Sequence, residues 1–126
     1  MQKTFLSHQA KDFRTRYNLR NAPTKDKRSY QKNLIVEEFK EFLEADGDMW
    51  HKHPQYSADC LKELADLVYV AYQYAENMGW LLDEALDRVH KSNMSKLDDD
   101  GNPIYREDGK VLKGPNYQPP ILTDLI

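Results

Sequence analysis

The chemistry of this chain concentrates in two carboxylate pairs, Glu38-x-x-Glu41 and Glu63-x-x-Asp66. Residues three apart lie on one face of a helix, so each pair directs two carboxylates the same way. Two such helices packed side by side would gather four acids around one point. Four negative charges enclosed together need cations to neutralise them. Hard divalent ions such as Mg²⁺ or Mn²⁺ take an all-oxygen shell of this kind. Glu37 stands beside the first pair, about 100° around the helix from Glu38, and is placed for the rim rather than the centre.

Glutamates on helices are usually a solvated face. The register here argues against that reading. Glu38 lies four residues after Leu34, and Glu41 four before Ala45. Glu63 lies between Cys60 and Leu67, and Asp66 four before Val70. The acids interrupt lines that carry apolar groups, in two matching places, as expected of a site rather than of a surface. Glu44 falls on the solvated side.

The elements that must hold these acids follow from apolar spacing. Residues 4–17 read as a first amphipathic helix through Phe5, Leu6, Phe13 and Tyr17. Residues 18–29, polar and basic around Pro23, read as a loop. A second helix is expected over 30–45, with Leu34, Ile35, Phe39, Phe42 and Leu43 inward and Gly47 near its end. After a turn through Gly47 and Pro54, Ser57 would cap a third helix whose stripe runs from Leu61 to Met78. That helix is apolar nearly all round after Asp66, which implies enclosure in a bundle or a subunit interface. Gly79 breaks it, and a fourth helix is expected over 81–94. Asp108-Gly109 lies between two short extended runs, the signature of a type I′ hairpin. Gly114-Pro115 and Pro119-Pro120 then suggest an extended finish. The expected fold is all-α, a four- to five-helix bundle with a short C-terminal β-hairpin. A single domain covers 1–126, helical over 4–96, with the hairpin and extended tail over 98–126.

A chain of 126 residues suits one core. A net charge of −3 gives no bulk attraction to nucleic acid or to an anionic membrane. One cysteine, Cys60, allows no intrachain disulfide, and with no signal-peptide apolar core at the start the expected location is cytoplasmic. His51-x-His53 sits in an exposed loop. Asp87-x-x-His90 lacks the paired Glu-x-x-His repeats of a di-iron bundle. Asp98-Asp99-Asp100 lacks EF-hand spacing, and no glycine-rich phosphate loop is present.

At Glu37-Glu38-x-x-Glu41 and Glu63-x-x-Asp66 the chain resembles the all-α nucleoside triphosphate pyrophosphohydrolases of the MazG-like group. The Ser92–Lys96 stretch and the segment ending in KGPNY are similar to its phosphoribosyl-ATP pyrophosphohydrolase-like members, some of them carried by bacteriophages. The resemblance implies hydrolysis of a (deoxy)nucleoside triphosphate between the α and β phosphates, with dGTP the favoured base. It implies Glu38, Glu41, Glu63 and Asp66 as ligands for two or more Mg²⁺ or Mn²⁺ ions. Glu37 would orient or deprotonate the attacking water, or share in metal ligation. Lys91, Asn93 and Lys96 would hold phosphate, with Lys62 and Arg88 as weaker candidates. Gln9, Phe13, Asn18, Trp50 and Tyr105 are candidates for contacting the nucleoside. Relatives form homodimers or homotetramers, and a phage-encoded member would work in the host cytoplasm. The rival readings are phosphoribosyl-ATP pyrophosphohydrolase itself and a non-catalytic helical interaction module.

Overall fold

The computed structural model describes residues 5–126. Thr4, at the start of the helix expected over 4–17, lies outside the described residues. Four α-helices occur among the described residues: α1 (Leu6–Arg16), α2 (Lys25–Gly47), α3 (Pro54–Met78) and α4 (Leu82–Met94). Two compact units divide the chain, Met1–Leu81 and Leu82–Ile126. No helix among the described residues is long and apolar enough to cross a membrane.

In the first unit α2 and α3 are the principal pair, and α1 packs on α3. At 23 and 25 residues, α2 and α3 each run about 35 Å at 1.5 Å per residue. Helix α2 starts five residues earlier than the spacing suggests. Thr24 caps it, its hydroxyl accepting from the Lys27 amide at 3.3 Å, and Asp26 supports the first turn. The basic run after Pro23 is therefore helix, where a loop was expected: a side-chain cap outweighs low apolar content. Helix α3 also begins early. His53 rather than Ser57 is its cap, Nδ1 accepting from the Gln55 amide at 3.1 Å, and Pro54 occupies the first turn, where a missing N–H costs nothing. Between the helices, a 3₁₀ turn at Asp48–Trp50 leads into stacked rings. The His51 ring lies 3.6 Å from that of Trp50 and 4.5 Å from that of Tyr56. Gly79 ends α3 at φ 75°, with the Trp80 amide reaching back to the Ala75 carbonyl at 2.9 Å.

A buried polar knot fixes α1 and the following loop to α3. The Arg14 guanidinium, 4% exposed, donates to Gln73 Oε1 at 3.3 Å, to Asn77 Oδ1 at 3.2 Å, and to Asn21 Oδ1. Asn77 in turn donates to the Ala22 carbonyl at 2.9 Å and accepts from the Ala22 amide at 3.1 Å. Among the described residues of this unit the buried apolar side chains are few: Ala10, Cys60, Tyr72 and Ala75. The enclosure expected for α3 after Asp66 is incomplete within one chain, since Val68 and Tyr69 are exposed; Leu61, at 67%, and Leu64 lie exposed before it.

In the second unit the tail folds against α4. Arg88 forks onto Asp124 at 2.6 and 2.9 Å and donates to the Ile121 carbonyl at 2.9 Å. Ser92, buried, donates to the Gln118 carbonyl at 2.7 Å. Gly114 is required where it stands, because a Cβ there would lie 2.5 Å from the Lys96 carbonyl oxygen. The expected β-hairpin is absent: no strand forms among the described residues, and Tyr105 and Val111 make only an isolated antiparallel bridge. The chain does turn here, over Arg106–Gly109, closed by the Gly109 amide on the Arg106 carbonyl at 2.9 Å, so Glu107 and Asp108 rather than Asp108 and Gly109 are the central residues. Neither of these has positive φ, which a type I′ turn needs at both central residues; Gly109, just after them, stands at 89°. Pro103 on one side and Gly114, tied to Lys96 at 2.9 Å, on the other divert the chain before pairing can extend.

Candidate functional site

The sequence places Glu38 and Glu41 one turn apart on α2, and Glu63 on α3. The α2–α3 pairing brings the three together, with one carboxylate oxygen from each lying within 4.8 Å of the others. All three residues are half-buried. Burial raises the Glu38 carboxyl to about 7, helped by its hydrogen bond with Glu41 and by the charges of Glu41, Asp66 and Glu63. One oxygen each of Glu38 and Glu63 is buried with no hydrogen-bond partner. Oxygens withdrawn from water and left unpaired are costly unless something else binds them. Three converging carboxylates with spare lone pairs fit a hard divalent cation, and no softer donor stands among them.

Asp66, on the same face of α3, stays outside that group of three. Its Oδ2 lies 2.7 Å from Lys62 Nζ, which also approaches Glu63 Oε1 at 3.5 Å. These charges raise the Lys62 pKa, the Asp66 hydrogen bond most. Glu37 is exposed, as its helical angle requires. Lys91, Asn93 and Lys96 belong to the second unit. There Lys91 pairs with Asp87 at 2.8 Å, and the Lys96 carbonyl accepts from Gly114.

The residues expected to contact a nucleoside are scattered. Gln9 lines an apolar groove with Leu6, Leu61 and Val68. Trp50 is 74% exposed against His51, and Tyr105 is exposed in the second unit. Phe13 is different. It lines a cavity of about 340 Å³ between α1, α2 and α3 that Tyr17, Tyr30, Tyr69, Gln31 and Gln73 share. Asn18, at φ 56°, lines a second cavity of about 350 Å³, which shares Tyr30 and Gln31 with the first. Gln31 and Gln73 escaped the sequence reading. The available signal was spacing: Gln31 lies seven residues before Glu38, and Gln73 seven after Asp66, on the same helix faces.

No curated protein matched the chain. Residues 1–93 match the family model described as phosphoribosyl-ATP pyrophosphohydrolase, a span that contains α1 to α3 and most of α4. Together with the acidic cluster, that match supports the general role of a metal-dependent hydrolase. With both acidic motifs inside the matched span, the chain belongs to the phosphoribosyl-ATP pyrophosphohydrolase family, in its all-α, MazG-like form.

Proposed function

We propose that this protein hydrolyses a nucleoside triphosphate between the α and β phosphates, releasing the monophosphate and pyrophosphate. The observation that carries the reading is the pair of unpartnered, buried oxygens on Glu38 and Glu63, converging with Glu41 in a chain of this family. Glu38, Glu41 and Glu63 would hold Mg²⁺ or Mn²⁺, with Asp66 joining when it leaves Lys62. A bound divalent ion supplies charge neutralisation at phosphorus and a water acidic enough to attack. Glu37, exposed beside the cluster, is the group proposed to orient that water and accept its proton. Lys91, Asn93 and Lys96 keep their proposed role as phosphate contacts. The favoured substrate is dGTP.

The family's own description favours a second reading, phosphoribosyl-ATP as substrate, with the same bond class cleaved. Incubation with Mg²⁺ or Mn²⁺ and each common nucleotide, and separately with phosphoribosyl-ATP, followed by product separation, tests both. Monophosphate and pyrophosphate from a dNTP support the first. Turnover of phosphoribosyl-ATP alone supports the second. Nucleoside diphosphate as product overturns the proposed bond.

A homodimer or homotetramer is part of the proposal. Leu61, Leu64 and Val68 on α3 and Leu6 on α1 expose an apolar face that a second copy would cover. Light scattering on the purified protein checks it, and a monomer at micromolar concentration rejects it.

A further inference from the structure

We propose that Gln31 and Gln73 read the hydrogen-bonding edge of the nucleobase in the aromatic-walled cavity between α1, α2 and α3. The inference rests on the nucleotide reading above and names the residues that select among substrates.

Both amides are more than nine-tenths buried, at 4% and 3% exposure. Gln31 Oε1 and Gln73 Nε2 are each without a hydrogen-bond partner. Buried polar atoms are nearly always satisfied, and an acceptor and a donor left open on two facing helices call for a ligand that supplies both complements. The orientation of Gln73 is settled by its neighbour. Its Oε1 accepts from the Arg14 guanidinium at 3.3 Å, and a guanidinium can only donate. Inverting the amide would set donor against donor, so the open atom is the N–H. Arg14 is itself held by Asn77 at 3.2 Å, so the donor is aimed before any ligand arrives.

The rest of the cavity suits a planar heterocycle. Phe13, Tyr17, Tyr30 and Tyr69 supply ring faces and edges around about 340 Å³. Nucleobases present a hydrogen-bond acceptor next to a donor along one edge, which matches the open pair. Position agrees as well. Seven residues along a helix is about 10.5 Å, the scale that separates a base from its 5′-phosphates. A base on the two amides thus leaves its phosphates toward Glu38, Glu41 and Glu63. Selectivity would come from the order of the pair: with Gln31 accepting and Gln73 donating in fixed places, a base whose edge carries donor and acceptor the other way round leaves both unpaired.

The test is calorimetric titration of the α,β-methylene analogues of dGTP, dATP, dCTP and dTTP with Mg²⁺, alongside inorganic triphosphate. Wild type is compared with Gln31→Leu and Gln73→Glu. The glutamate variant keeps the acceptor for Arg14 and so preserves the knot while deleting the donor. Wild type should rank the bases. Both variants should lose roughly ten- to a hundredfold in affinity for the preferred one and leave inorganic triphosphate binding unchanged. Gln31→Leu should also raise Tm, because it removes an unsatisfied buried acceptor. An unchanged base ranking in both variants overturns the proposal, even with hydrolysis intact. So does a lowered Tm with unchanged ranking, which would mean that the two amides satisfy each other. Absence of binding and turnover for every nucleotide in wild type would instead overturn the nucleotide reading and this inference with it.

Discussion

Lys62 Nζ lies 2.7 Å from Asp66 Oδ2, one turn along α3, and this ion pair sets Asp66 apart from the three acids it neighbours. The lysine satisfies a carboxylate that would otherwise add a fourth charge to the cluster. Lys62→Met should therefore release Asp66 and tighten Mn²⁺ binding several-fold. Titration calorimetry reads the change. An unaltered affinity would show that Asp66 takes no part in holding metal.

Glu38→Gln separates an enzyme from an idle helical module. The substitution removes the acid that burial and three neighbouring carboxylates most disfavour as an anion. Metal-free protein should gain about 1 kcal/mol near pH 8, while metal binding and hydrolysis are lost. A variant that keeps full turnover would displace Glu38 from the centre of the site.

Stability without metal should fall as pH rises from about 4.5 to about 7, the two limits of the Glu38 titration. In that window the folded carboxyl keeps its proton and the unfolded one has released it, so raising pH favours unfolding. Thermal melts in EDTA at a series of pH values give the slope. Saturating Mg²⁺ should flatten it, and metal uptake below pH 7 should release close to one proton, measurable by titration in two buffers of different ionisation enthalpy. A metal-free melting curve that rises across this window would contradict the placement of Glu38.

Gly114→Ala should loosen the second unit. The added methyl would meet the Lys96 and Leu97 carbonyl oxygens at 2.5 and 2.6 Å, both backbone atoms that cannot swing aside. A loss of about 2 kcal/mol is expected. Hydrogen exchange should locate it in the tail through the amide of Gly114 itself, now bonded to Lys96 at 2.9 Å. Unchanged protection there would mean that the close approach is not maintained in solution.

Much of this could be read from residue order. The three-residue spacing of the acids survived folding because α2 and α3 are long, regular helices, and helical phase is a local property. Caps were harder. Thr24 and His53 were hidden by a basic run and by a proline, so both helices start earlier than apolar periodicity indicated. The hairpin failed for a different reason: Asp108-Gly109 specifies a turn, but whether strands continue from it depends on Gly114 meeting Lys96, a contact between residues far apart in sequence. The same holds for Gln31 and Gln73. Each is an ordinary helical glutamine alone, and becomes unusual only when the helix pairing encloses both and leaves their polar atoms open.

Asn77 carries a consequence for kinetics. Its one side chain clasps both the N–H and the C=O of Ala22, at 3.1 and 2.9 Å, while its oxygen also takes a hydrogen bond from Arg14. A clasp of this form does not yield one bond at a time, since rotating the amide breaks all three together. The segment between α1 and α2 is therefore held to α3 by bonds that give way together rather than singly. Any motion that widens the cavity beside Asn18 by moving Asn77, which lines it, must release Ala22 and Arg14 in a single event.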